Sequence, residues 1–444
     1  MSVRGEFSSR LGFILAAAGS AVGLGNIWGF PTQVASNGGA AFVLVYMILA
    51  FVLAYPVLMA ELLIGRSTRS NMVDALGRIS GHWLGRATGI WGIVTVSLIL
   101  AFYAIVGGWM LAYGFESLAT IAGFDDFAAW LTEFSTPRNI ICCGLFMLLT
   151  AGIVTGGVSK GIEKWSVRLM PTLFIIITLL IVYVMTLDGA MQGLKVYLVP
   201  DFSKVWSPDL LISAMGQAFF SMSLGVGTML VYGSYVGRQE KLPSLGASVA
   251  LVDIGVAILA GLLIIPAMYV ALHNGVQIFS EAGELIDGDT LIFTVLPALF
   301  DTMGAAGNAV ALAFFALMII AALTSSISML EVPVAYVVEN KGIERRRAVW
   351  LIAAVIFICS IVIALNFSTL FGLVISLTTE YSQPLLGMVL CIFAGWVWKR
   401  NEILKELQAS DPQAHQGLFW KIWPWYVRFV CPVIIILMFY RSVQ

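Results

Sequence analysis

Gly19-Ser20-Ala21-Val22-Gly23-Leu24-Gly25-Asn26 interrupts the first apolar segment of the chain. Apolar residues from Leu11 to Ala18 begin a run that suits a membrane span, and the run resumes at Ile27-Trp28. Three glycines and an asparagine therefore sit where a spanning helix must keep its backbone bonds closed. In hydrocarbon an unpaired amide is costly, so such a break is tolerated only inside protein or beside a wet cavity. A second break, Ser223-Leu224-Gly225-Val226-Gly227, opens the second half of the chain. Glycine-interrupted spans at corresponding positions of two halves point to a binding site near the bilayer midplane.

The composition agrees with a membrane chain. Of 444 residues, 60% are hydrophobic and 11% charged, and mean hydropathy is +0.95. Soluble proteins carry about 25% charged residues. The net charge of -1 offers no basic field for nucleic acid. Cys142, Cys143, Cys359, Cys391 and Cys431 all fall in apolar segments without metal-ligand spacing, and read as small buried hydrophobes. Arg4 and Arg10 precede the first apolar run, but that run continues as a span, so no cleavable leader is read there.

At about 20 apolar residues per span, the sequence predicts an all-α polytopic membrane protein of eleven transmembrane helices. They cover 11–34, 41–65, 88–119, 139–157, 166–187, 210–235, 246–272, 305–338, 348–366, 370–398 and 422–440. With the N-terminus cytoplasmic, nearly all of the 24 Lys and Arg fall on the inner side. Only Arg138, Lys195, Lys204 and Arg441 fall outside, with Arg428 near the last span, as the positive-inside rule requires. An odd span count then puts the C-terminus outside.

Spans 1–5 (residues 1–187) and 6–10 (residues 210–398) form two halves of five. Five is odd, so the second half enters the membrane with opposite orientation. An inverted repeat follows, with broken helices 1 and 6 facing each other, although the halves share no visible identity. Residues 188–209 (Pro200, Trp206, Pro208) read as an external turn-rich connection. Residues 273–304 carry Glu281, Glu284, Asp287, Asp289 and Asp301 with no Lys or Arg, and their apolar core is too short to span. They read as an external re-entrant hairpin. In 399–444, a solvated cytoplasmic loop leads to span 11, outside the repeat.

At a break, free amides attract an anion and free carbonyls a cation. The Gly23-Leu24-Gly25 backbone suits a carboxylate, while carbonyls at Gly19, Ala21 and Val22 suit Na⁺. A lone glycine in a membrane helix usually serves packing; two matched breaks, each with hydroxyl or amide side chains, favour a site. Asp253 and Glu380 both lie inside apolar spans, where a carboxylate is a functional candidate.

The run Arg10–Pro31 (RLGFILAAAGSAVGLGNIWGFP), followed by Ser36–Ala40 (SNGGA), resembles the first-helix signature of the neurotransmitter:sodium symporters. Gln217–Gly227 (QAFFSMSLGVG) and Ala321–Ser326 (AALTSS) resemble that family's sixth- and eighth-helix motifs. The likeness covers nearly the whole chain, and the eleven-helix body resembles a bacterial subgroup that carries hydrophobic amino acids. It implies a leucine-transporter-like fold and two sodium sites. The first would use Ala21, Asn26, Ser221 and Asp253 with the substrate carboxylate; the second Gly19, Val22, Ala321, Thr324 and Ser325. All are oxygen donors, as a hard cation requires.

Chloride-dependent relatives have Asn at position 253 and a serine one turn later, where this chain has Ala257. The resemblance therefore implies that Asp253 supplies the charge that chloride brings elsewhere, and no chloride is expected. Tyr103 would hold the substrate carboxylate. The pocket would be lined by Ser20, Ala21, Leu24, Gly25, Ile99, Phe220, Ser221, Ser223, Val226, Ser325 and Met329. It is mostly apolar, and Val226 replaces bulkier residues of relatives, so the expected substrate is a hydrophobic amino acid. Arg4 and Glu339 match an inner latch, with Phe7 and Tyr235 supporting it. Gly161 and Pro171 match a spacing that lets helix 5 unwind. The charged external gate of many relatives is absent, since its positions hold Gly29 and Ile375.

The expected function is sodium-coupled import of hydrophobic L-amino acids across a bacterial inner membrane. Two alternatives stay open: a proton-coupled carrier using Glu380, and a non-transporting sensor on the same scaffold. Glu380 itself reads as a packed protonated carboxyl, a proton-coupling site or a new gate partner. An enzyme is not expected, since no catalytic motif appears and His82, His273 and His415 lie in loops or at span ends. The oligomeric state is not legible in the sequence.

Overall fold

The computed structural model of the chain describes residues 5–200, 202, 205, 207–278 and 291–442. These form helices joined by short turns, with no strand among them. Eight helices are long and apolar enough to cross a membrane unbroken, and ten if each of two bent pairs is one crossing.

The first bent pair contains the glycine cluster at 19–25. Ser9 accepts the Gly12 amide and starts the helix Arg10–Ala21. Val22 then turns extended (ψ 108), and the chain resumes through Gly25–Gly29 into Phe30–Ser36 at 57° to the first piece. Gly23 is required by close approach: a Cβ there would stand 2.6 Å from Ser325 Oγ and 3.0 Å from Tyr103 Oη.

The counterpart is the pair Pro208–Ser221 and Thr228–Gly233. Between them Ser223, Gly225 and Gly227 all have positive φ (51°, 86° and 79°). A left-handed stretch of this kind ends a helix and suits glycine.

The freed backbone groups are accounted for by side chains. Asn26 Oδ1 accepts the Gly23 amide at 3.1 Å, and Gln217 Nε2 donates to the Gly25 carbonyl at 2.7 Å. Ser223 Oγ donates to the Ser20 carbonyl at 3.0 Å, tying one break to the other. Glu61, fully buried in the helix Tyr55–Thr68, accepts the Gly225 amide at 2.7 Å and the Leu230 amide at 3.2 Å. These pairings meet the demand that buried backbone groups be satisfied.

Around the breaks stand Trp83–Ala122, Leu242–His273 and Ala305–Lys341, the longest helices of the chain. The first and third pack along each other over much of their length. Their buried faces bring Tyr103, Asp253 and Ser325 to the level of the breaks.

Two connections differ from the sequence expectation. The turn-rich segment 188–209 instead contains the helix Ala190–Leu198, packed on Leu242–His273; Trp206 lies outside the described residues. The loop 399–419 is not an ordinary solvated connection. Arg400–Gln408 is a helix bent 95° from the preceding segment, with Ile403, Glu406 and Leu407 buried. Buried Arg66 holds it, donating to Glu406 Oε1 at 2.6 Å and to the Glu406 carbonyl at 2.8 Å. An ion pair between residues so far apart in sequence leaves no local trace. Two further short helices, Met72–Ser80 and Asp125–Thr132, fill loops that carry no apolar run long enough to span.

Of the segment 273–304, Leu291–Thr302 is described as a wide turn and a short helix. Phe293 packs edge-on against Trp28 and Trp109 and beside Tyr113, so this piece dips among the helices. Glu281, Glu284, Asp287 and Asp289 lie outside the described residues.

Candidate functional site

Asn26, Ser221 and Asp253 meet in a fully buried cluster. Ser221 Oγ donates to Asp253 Oδ2 at 2.9 Å; Asn26 Nδ2 donates to Asp253 Oδ1 at 2.8 Å and to Ser221 Oγ at 3.0 Å. Tyr46 Oη lies 3.3 Å from Ser221 Oγ and adds a hydroxyl that the sequence reading missed. The expected first sodium site differs in one respect. Asn26 turns its amide nitrogen, not its oxygen, toward the carboxylate, because Oδ1 accepts from Gly23. A cation in this cluster needs the carboxamide turned over, which would also release the Gly23 amide.

The residues expected at the second sodium site also converge. Ser325 Oγ donates to the Val22 carbonyl at 3.1 Å and lies 3.4 Å from that of Gly19. Thr324 Oγ1 bonds the Ile320 and Ala321 carbonyls at 3.0 and 3.1 Å. Here the hydroxyls take the carbonyls as partners. The same oxygens can turn to a cation and coordinate it in place of water.

Between these clusters lies a cavity of about 30 Å³, lined by Ala21, Gly23, Leu24, Gly25, Ile99, Tyr103, Phe220, Ser221, Ser223, Val226, Ser325, Met329 and Gln383. Tyr103 Oη accepts the Leu24 amide at 3.3 Å, which puts the phenol where a carboxylate at the break would meet it. Every residue expected in the pocket is present except Ser20. That residue is turned away: its Oγ donates to Ser328 Oγ at 2.7 Å. Gln383 was not foreseen.

A wider cavity of about 420 Å³ opens at the far end of the first broken helix from Phe7. Gln33, Gln217, Phe220, Glu380, Gln383 and Pro384 are among its walls. Phe220 and Gln383 border both cavities and so separate them. Glu380 is exposed and lines the wide cavity, which excludes the packed carboxyl reading. No Lys or Arg lines that cavity among the described residues, so an ion-paired gate at Glu380 has no partner there. Gly29 faces Gln217, and Ile375 is half-buried.

At the other end, Phe7 packs edge-on against Phe13, Tyr232 and Tyr235, and its amide donates to the Tyr235 carbonyl at 3.2 Å. Arg4 lies outside the described residues. Glu339 accepts from the Asn71 backbone amide at 3.0 Å and from Asn71 Nδ2 at 2.9 Å. Tyr235 donates to buried Glu331 at 2.6 Å, and Glu331 pairs with Arg345 at 2.6 Å. Glu331 was missed, though a carboxylate inside an apolar run was as visible there as at position 253; Glu61 was missed in the same way. Gly161 sits in a wide turn, Val158–Glu163, and Pro171 inside Lys164–Val184. Glu163, beside Gly161, accepts from Ser8 and Ser9, fastening the start of helix 1 to helix 5.

Two broken helices tied together at their breaks, with oxygen clusters on either side of a small apolar pocket, define an ion-coupled membrane carrier. The chain belongs to the sodium:neurotransmitter symporter family, whose model matches residues 4–140 and 132–444. It is a sodium-dependent symporter and a multi-pass membrane protein, not an enzyme.

It is 34% identical to the uncharacterised sodium-dependent transporter YhdH of Bacillus subtilis, over 98% of this chain and 96% of that protein. An uncharacterised sodium-dependent transporter of Haemophilus influenzae is 33% identical over 98% and 97%. The fold matches the crystal structure of MhsT in complex with L-phenylalanine, with a TM-score of 0.84 and 35% identity, over 99% of this chain and 100% of that one. The leucine-transporter-like fold expected from the sequence is therefore the fold of this protein.

Proposed function

We propose that this protein imports hydrophobic L-amino acids with sodium, without chloride, across a bacterial inner membrane. The observation that carries the reading is the small cavity beside the Asn26–Ser221–Asp253 cluster. Its walls Ile99, Phe220, Val226 and Met329 are apolar, while Tyr103 and the backbone of the first break stand together in it. Such a pocket suits an α-carboxylate at the break and an apolar side chain beyond it, with no buried charge to receive a basic or acidic one. The phenylalanine bound to MhsT supports the same class of substrate. A cavity of about 30 Å³ must widen to take such a side chain, and Phe220, shared with the wide cavity, is the wall best placed to move.

In this reading the N-terminus is cytoplasmic and the C-terminus external, and the broken pair Pro208–Gly233 supplies the crossing that makes eleven. Residues 1–187 and 210–398 are the two inverted halves, joined by 188–209, with 273–304 an external hairpin and 399–444 outside the repeat. The wide cavity is then the outer vestibule, and the Phe7 cluster is the inner closure.

One sodium turns Asn26 over and is held by Ala21, Asn26, Ser221, Asp253 and the substrate carboxylate. A second is held by Gly19, Val22, Ala321, Thr324 and Ser325. Asp253 supplies the negative charge, so chloride is not needed. Loss of the second sodium, through unwinding between Gly161 and Pro171, opens the inner path. At a potential near 100 mV each charge carried inward contributes about 2.3 kcal/mol, enough for roughly a fifty-fold substrate gradient. Proton coupling at Glu380 is the second reading; its exposed place in the wide cavity, rather than in the buried clusters at the breaks, favours sodium.

Equilibrium binding of radiolabelled phenylalanine and leucine, in Na⁺ or K⁺ and with or without chloride, tests the proposal. Saturable binding in Na⁺ alone supports it. Binding that ignores Na⁺ removes the two-sodium model, and binding that needs chloride overturns the role given to Asp253.

A further inference from the structure

Among the residues around the small cavity, the polar side chains are almost all engaged. Ser221 bonds Asp253, Ser223 bonds the Ser20 carbonyl, Ser325 bonds the Val22 carbonyl, and Tyr103 accepts from Leu24. Gln383 is the exception. It is 3% exposed, and its Oε1 is buried without a hydrogen-bond partner among the described residues. Buried side-chain oxygens are normally satisfied, and an orphaned one at a binding site invites a ligand partner.

Its position is fixed by the fold. Gln383 begins the helix Gln383–Ile392 directly after the wide turn Ser376–Ser382 and before Pro384. The second break lies against it: a Cβ on Gly225 would stand 2.3 Å from the Gln383 carbonyl oxygen. The residue therefore packs directly on the break that forms one wall of the pocket. Of the side chains that share the cavity with it, Ile99, Phe220, Val226 and Met329 are apolar, and Tyr103, Ser221, Ser223 and Ser325 are already bonded.

We propose that Gln383 is a specificity-determining residue that selects hydrophobic amino acids whose side chain carries a hydrogen-bond donor, the indole of tryptophan and the phenol of tyrosine. The inference rests on the function proposed above and narrows its substrate class. A donor reaching Gln383 satisfies the orphaned acceptor, whereas a phenyl ring or an aliphatic chain seals it away from water. A site built to bond a substrate donor rejects the analogue that lacks it far more strongly than a purely apolar pocket rejects a size variant. The expected preference is about tenfold or more for tyrosine over phenylalanine, and for tryptophan over 1-methyltryptophan.

The test is competition binding in Na⁺ with these two matched pairs, on the wild-type protein and on Gln383→Leu and Gln383→Met. The proposal expects both preferences in the wild type, collapsing to about unity in the variants. Two substitutions of different shape guard against a loss of folding, which the thermal midpoint of each purified variant reports. Equal wild-type affinity within each pair overturns the proposal whatever the variants do, as does a preference that survives in either folded variant. If the wild type binds none of the four ligands, the substrate reading falls with it. If it binds phenylalanine in Na⁺ but does not discriminate, only the role of Gln383 falls.

Discussion

In the proposed function, Asp253 is the residue on which sodium coupling turns. It is fully buried, its oxygens accept from Asn26 and Ser221, and no cation pairs with it among the described residues. A buried carboxylate without a counter-ion is costly, and in the proposed function a bound sodium is the charge that relieves it. Asp253→Asn is therefore expected to raise the sodium concentration for half-maximal substrate binding by at least about tenfold, or 1.4 kcal/mol. An unchanged sodium dependence, measured by titration at fixed ionic strength, contradicts this. Tyr103→Phe removes the hydroxyl at the break, and hydrogen bonds to charged groups contribute about 1.5–3 kcal/mol. Substrate affinity should fall roughly 10- to 100-fold while the affinity for sodium changes little; equal affinity for substrate would remove the phenol from carboxylate binding. At this scale the sequence was legible wherever a motif placed a side chain, as at Tyr103, Ser221 and Ser325. It was illegible where the direction of a side chain decides. Ser20 turns to Ser328, Asn26 presents its nitrogen, and Gln383 reaches the cavity from a helix that no motif pointed to.

At the scale of elements, the two broken helices hold only because other helices complete them. Glu61 replaces two of the missing backbone bonds of the second break. In Glu61→Gln one carboxylate oxygen becomes an amide donor facing a backbone donor, leaving one buried N–H unpaired. The expected loss is about 1–3 kcal/mol of stability, seen as a lower thermal midpoint of the purified protein, and an unaltered midpoint contradicts the capping role. The breaks themselves were legible, because clustered glycines and polar side chains inside an apolar run leave a spanning helix unable to close its own bonds. The helix Arg400–Gln408 was not, because its apolar side is short and its anchor, Arg66, comes from a distant span. The helix Ala190–Leu198 was hidden for a similar reason: Gly193 packs against the backbone at Pro266, a contact invisible to local pattern.

The whole molecule is asymmetric from end to end. One end holds a cavity of about 420 Å³, while the other is closed by Phe7 among aromatic rings and by the Tyr235–Glu331–Arg345 and Glu163–Ser8–Ser9 bonds. Alternating access requires these closures to open in turn, and removing bonds present in only one state shifts the balance between states. Glu331→Gln weakens the pair with Arg345, so hydrogen exchange at the amides of residues 5–9 should speed up while exchange near the wide cavity does not. Uniform exchange across the protein would make Glu331 a general stabiliser instead. The family and fold were legible at this scale because the motifs span the chain; which end is closed was not, since the closure joins residues from distant parts of the chain.

The central claim is coupled transport, and reconstituted vesicles measure it most directly. Radiolabelled phenylalanine uptake is followed with sodium outside, an inside-negative potential, and potassium in place of sodium as the control. The account predicts accumulation above the external concentration in sodium alone, abolished by collapsing the sodium gradient and potential and indifferent to replacing chloride with gluconate. Uptake that only equilibrates, or that proceeds equally in potassium, would contradict it.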